Sequence, residues 1–83
     1  MTTKAKCIAL AAEHSIEIYA CKLGDGWHCD LSIPDGFTLE DYEGAMTGLT
    51  IWGVETAKEF WKSVYGDLLT CIDYKPWHKI TEQ

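Results

Sequence analysis

Cysteine and histidine are the residues of this chain best suited to chemistry, and their spacing limits what they can do. Cys7, Cys21, Cys29 and Cys71 are spread along the chain, with His14, His28 and His78 interspersed. A structural zinc site draws on three or four such ligands and usually contains one closely spaced pair. No close cysteine pair occurs here. Cys21 and His28 can meet across a hairpin face, and His14 or Cys71 could join them, so a cysteine/histidine metal or redox centre on Cys21, His28, Cys29 and Cys71 stands as a second reading. His28 and Cys29 are adjacent, as a base and a nucleophile would be, but neighbours on a strand point to opposite faces and cannot cooperate.

The acids give no catalytic or calcium motif. Asp25, Asp30 and Asp35 are five residues apart, not in the alternating pattern of an EF-hand loop. Gly24-Asp25-Gly26 leads from one strand into another, whereas a phosphate-binding loop opens a helix. With no nucleophile–base pair, metal set or cofactor motif in view, the chain reads as a non-enzymatic protein with no catalytic, metal or cofactor residues.

The charge distribution is more informative. The 83 residues hold no arginine, seven lysines and thirteen acids, for a net charge of -6. From Leu23 to Ala57 there is no basic residue other than His28, while Asp25, Asp30, Asp35, Glu40, Asp41, Glu43 and Glu55 all fall there. Arginine is the usual bidentate grip on phosphate and carboxylate. Its absence, with lysines only on either side of an acidic middle, argues against direct nucleic-acid binding. An acidic stretch rimmed with aromatics suits a positively charged protein. The expected docking residues are Asp30, Asp35, Glu40, Asp41, Tyr42 and Glu43. Acids steer such a partner in, and buried aromatics hold it. The expectation is therefore an adaptor or inhibitor. In composition it is similar to the small acidic anti-restriction and anti-CRISPR inhibitors encoded by phages and other mobile elements.

Length and composition set the frame for these residues. The chain is 47% hydrophobic and 12% aromatic, with four Trp and four Tyr, which predicts one globular domain over residues 1–83. No run approaches the length of a membrane span, and the short apolar run Cys7–Ala12 is not a secretory signal core. The expected location is the cytoplasm, with reduced thiols. Trp52, Trp61 and Trp77 are more aromatic surface than so small a core readily takes, which leaves a homodimer open.

The elements that must position these residues follow from periodicity. Alanine-rich Thr3–His14 predicts a helix. Ser15–Ile33 alternates on both sides of Gly24-Asp25-Gly26, the pattern of a β-hairpin. A two-residue Asp25-Gly26 turn pairs Lys22 with Cys29, Ala20 with Leu31 and Ile18 with Ile33. It puts Ile16, Ile18, Ala20, Trp27, Cys29, Leu31 and Ile33 on one face and Glu17, Tyr19, Cys21, His28, Asp30 and Ser32 on the other.

Ile33-Pro34-Asp35-Gly36-Phe37 predicts a second turn. For residues 38–47 a short helix capped by Thr38 is preferred over a third strand. Leu49–Trp52 reads as a brief strand. Val54–Tyr65 predicts an amphipathic helix with Val54, Ala57, Trp61, Val64 and Leu68 inward and Phe60 beside them. Glu55 with Lys58 and Glu59 with Lys62 would support it, and Gly66 would end or fray it. Leu68–Tyr74 is either a last strand or a continuation of the helix. The sum is an α+β domain: an N-terminal helix, an antiparallel hairpin or three-stranded sheet, and an amphipathic helix packed on one face.

Overall fold

Alternation of apolar and polar residues makes the central hairpin, as its sequence implies. The computed structural model describes residues 2–41 and 44–79. Two strands, β1 (Glu17–Leu23) and β2 (Gly26–Ser32), pair antiparallel. A strand later in the chain, β5 (Gly48–Val54), pairs with β2 on its other side, giving a sheet in the order β1-β2-β5. Two helices, α1 (Thr3–Glu13) and α2 (Ala57–Asp73), accompany this sheet. The chain is therefore an α+β domain.

The faces of the hairpin match the sequence pattern, but its turn lies elsewhere. Leu23 pairs with Gly26, Lys22 with Trp27 and Ala20 with Cys29, so the connecting residues are Gly24-Asp25, not Asp25-Gly26. The reason lies in the third strand. A Cβ on Gly26 would lie 2.7 Å from the Val54 carbonyl oxygen, so Gly26 serves as the point where β2 passes close to β5. The register moves by two residues, which preserves the side-chain facing. Ile16, Cys29, Leu31 and Ile33 are buried, and Glu17, Tyr19, Cys21 and Asp30 are exposed.

Residues 37–41 and 44–46 form strands, not the short helix expected from Thr38 and the acids after it. β3 (Phe37–Asp41) pairs with β4 (Gly44–Met46) on one side and with the two-residue β6 (His78–Lys79) on the other. The backbone bonds of β3 are thus made on both edges, and Leu39 is fully buried. Tertiary pairing and burial outweigh an N-cap worth about 1 kcal/mol.

The second helix starts later and runs further than its periodicity suggested. Val54 belongs to β5, and Thr56 caps α2 by accepting a hydrogen bond from the Glu59 N–H at 3.2 Å. The helix passes through Gly66 to Asp73, so Leu68–Asp73 is helical and no strand forms there. Its buried line is Phe60, Val64, Leu68 and Cys71, with Trp61 only half-buried and Ala57 exposed. Gly in a helix costs about 1 kcal/mol. Burying Leu68 beyond it returns roughly 1.5–3 kcal/mol, so the helix continues. The expected pairs Glu55–Lys58 and Glu59–Lys62 are not formed, since neither is within 4.0 Å.

The core is the layer between helices and sheet. Cys7 and Ala11 of α1, the α2 line, and Ile16, Cys29, Leu31, Ile33, Leu39 and Ile51 form it. Trp27 stacks on Phe60 with ring centroids 5.3 Å apart, and Phe60 meets Trp61 edge-on at 5.0 Å. The helices run side by side in the same direction. Thr3 and Lys58 line one groove near their starts, Cys7 Sγ donates to the Trp61 carbonyl at 3.4 Å, and Lys75 Nζ donates to His14 Nδ1 just beyond their ends. Trp77 is tied back by its indole N–H, which donates to the Cys71 carbonyl at 2.9 Å. Among the described residues, no helix is long and apolar enough to cross a membrane.

Candidate functional site

The helices cover one face of the β1-β2-β5 sheet, and the other face is open. Strand alternation and the observed register bring Glu17, Tyr19, Cys21 and Leu23 of β1 together there with His28, Asp30 and Ser32 of β2 and Thr50 and Trp52 of β5. No lysine lies among them. Lys22, the lysine of β1, is paired with Trp27 and points to the helix side.

Aromatic and apolar groups dominate the middle of this face. Trp52 is 76% exposed, Tyr19 59% and Leu23 55%. These are three of the largest exposed apolar side chains of the chain, and they share one trough. Two shallow depressions of about 350 and 340 Å³ both include Tyr19, Asp30 and Thr50, and so run into each other along the sheet. Trp52 owes its prominence to a bulge. Cys29 pairs with Ile51 and Trp27 with Val54, so β5 has one residue more than β2 at this point, and Trp52 and Gly53 together oppose His28. Bulges re-aim side chains in this way. The Trp52 ring is tilted against His28 with centroids 6.4 Å apart.

Carboxylates rim the aromatic centre at both ends. At one end Tyr19 donates its hydroxyl hydrogen bond to Glu17, and that bond, with the nearby charge of Asp35, raises the phenol's pKa. Thr50 donates to Asp30 at 3.0 Å, which fixes that carboxylate's direction. At the other end His28 Nε2 lies 2.7 Å from Asp25 Oδ1, and this hydrogen bond holds the Asp25 carboxyl below its ordinary range.

Of the six residues expected to dock a partner, the structure places two at this face. Asp30 lies on it and Asp35 lies in the turn after β2, near enough to act on Tyr19. Glu40 and Asp41 belong to β3, in the other sheet, and their side chains are outside the described part of the chain. Tyr42 and Glu43 lie outside the described residues altogether. Glu17, Tyr19, Leu23 and Trp52 were missed in the sequence. The alternation contained the signal for Glu17 and Tyr19, which fall on the polar side of the hairpin. Trp52 needed the bulge, which no local pattern announces.

The four cysteines do not gather around His28. Cys21 and His28 are direct cross-strand partners on the open face, but Cys29 and Cys71 are buried on the core side. Burial pushes both of those thiols up to about 11 and keeps them protonated at neutral pH. Cys7 is buried as well, and all four cysteines are free. Among the described residues, no three His, Cys, Asp or Glu side chains are grouped so as to hold a metal. Compared with protein-family models, with curated proteins and with solved structures, the chain gives no match.

Proposed function

We propose that the protein is a non-enzymatic binding module, an adaptor or inhibitor, that docks the open face of its sheet onto a positively charged protein surface. The observation that carries this reading is the composition of that face. Three large exposed apolar side chains lie together in a trough that Asp30 lines, with Glu17 and Asp35 beside Tyr19 and Asp25 beside His28, and no lysine lines it. Large apolar groups exposed together and rimmed by charge are characteristic of interaction surfaces. Tryptophan and tyrosine are the residues most often found carrying interface energy. The carboxylates choose the sign of the partner and raise the association rate.

A lysine or arginine of the partner would lie over the Trp52 ring and reach Asp30, combining a cation–π contact with an ion pair. This reading extends to the class of small acidic inhibitors encoded by phages and other mobile elements, which the chain resembles in composition. It suits a cytoplasmic setting with reduced thiols. The test is association of the partner with the wild type and with Trp52→Ala and Asp30→Lys variants, at low and at high salt. Loss in both variants, and at high salt, is the expected result. Undiminished association by both variants would rule the face out.

A further inference from the structure

A second surface, on the far side of the sheet from the docking face, carries the opposite charge. Four of the seven lysines, Lys4, Lys6, Lys58 and Lys62, gather around the first turns of α1 and α2. In the sequence these lysines are two distant pairs, and only the parallel packing of the helices unites them. Thr3, Lys6, Lys58, Lys62 and Tyr65 line a groove of about 420 Å³. Lys4 lies at its edge with its ammonium 5.6 Å from the centre of the Trp61 ring.

The lysines of the cluster form no ion pairs among the described residues. Among the described residues, no carboxylate comes within 4.0 Å of Lys6, Lys58 or Lys62, although Glu55 and Glu59 are close in sequence. Ammonium groups gathered in one groove repel each other, and in a chain of net charge -6 acids to relieve them were plentiful. Such a groove is complementary to an anion. The Thr3 and Tyr65 hydroxyls add neutral donors, and the N-terminal ends of both helices add positive potential at the same end.

Charge and size then select the occupant. Lysine binds phosphate as a point charge and does not require the fork of arginine. The groove volume falls within the range of small-molecule sites. A long polyanion would be repelled by the acidic remainder of the molecule. A compact one stays within roughly one Debye length, about 8 Å, of the lysines and is screened from the carboxylates across the sheet. We propose that the groove between α1 and α2 binds a compact, multiply charged oxoanion of the oligophosphate class.

The test is an NMR titration of the ¹⁵N-labelled full chain with sodium tripolyphosphate, against sodium chloride at matched ionic strength. The expected result is saturable binding, with shifts concentrated in residues 3–6 and 58–65. The variant Lys58→Gln/Lys62→Gln, altered only at exposed positions, should weaken it by at least about tenfold. The proposal is overturned by shifts that follow ionic strength alone, or by unchanged affinity in that variant. It is overturned equally if poly-glutamate or duplex RNA binds the groove more tightly than tripolyphosphate. None of these outcomes touches the open sheet face, so this proposal and the docking reading stand or fall separately.

Discussion

Trp52 separates function from stability at the level of a single side chain. It is 76% exposed and contributes little to the core. The variant Trp52→Ala should change unfolding free energy by no more than about 0.5 kcal/mol, since exposed substitutions rarely do more. Phe60, stacked on Trp27 and fully buried, is the contrast. Its replacement by alanine should cost about 3–5 kcal/mol, much of a small domain's total stability. Denaturant melts of the two variants check both numbers.

Asp67 offers a pH-dependent test. Partial burial on α2 raises its carboxyl pKa, and its charge adds to the burial that chiefly raises the Cys71 and Cys29 thiols. A carboxyl that holds its proton more tightly when folded binds more protons in the native state, so stability falls as pH rises from the unfolded value, about 3.9, through the folded one. Above that window the cost is constant. The variant Asp67→Asn should therefore be more stable than the wild type at pH 7, with the gain vanishing by about pH 3. Thermal melts across this range would show the two curves converging. Parallel curves would contradict the assignment.

At the scale of elements, the hairpin was the most legible part of the sequence and the β3 region the least. Period-two alternation fixes which face a residue takes, so Glu17, Tyr19 and Asp30 were assigned outward correctly even though the turn was set one residue too late. The turn depended on the approach of β5 to Gly26, a contact across the chain that local spacing does not encode. The strands at residues 37–41 and 44–46 had the same difficulty. Thr38 and the acids after it fit a helix start, and only pairing with β4 and with β6, nearly forty residues away, makes β3 a strand. For α2 the misplaced signal was Gly66, whose local cost is smaller than the burial of Leu68 and Cys71 beyond it.

One glycine tests this account of the sheet. A Cβ on Gly48 would lie 1.7 Å from the Leu31 carbonyl oxygen. The backbone of β2 or β5 must move to admit it. Gly48→Ala should destabilise by about 3 kcal/mol, the upper part of the range for overpacking. Denaturant unfolding measures it, and a cost below about 0.5 kcal/mol would show that β2 and β5 do not pass as closely as described.

At the scale of the whole molecule, folding sorts charge that the sequence leaves mixed. The acidic middle of the chain was plain from composition, but it does not become one surface. Asp30 and Asp35 go to the open sheet face, where Glu17 joins them, while Glu40 and Asp41 go to the other sheet. The lysines, which looked scattered, gather where α1 and α2 begin side by side. The sequence could not show either grouping, because both depend on which helix lies beside which and on which strand takes the sheet edge. The result is a layer with an acidic aromatic face on one side and a basic groove on the other. Association through the acidic face should weaken with salt, and most of that change should appear in the association rate.

The central claim is that the open face of the sheet is where a basic partner docks. The most direct measurement is a pull-down from host lysate, with proteins identified by mass spectrometry. The baits are the wild type, Trp52→Ala/Asp30→Lys, and Glu13→Lys as a charge-matched change at the exposed end of α1, each at low and high salt. The account predicts one partner with a basic surface, retained by the wild type and by Glu13→Lys, lost by the open-face variant, and released by salt. Retention of the same partner by the open-face variant, at both salt concentrations, would contradict it.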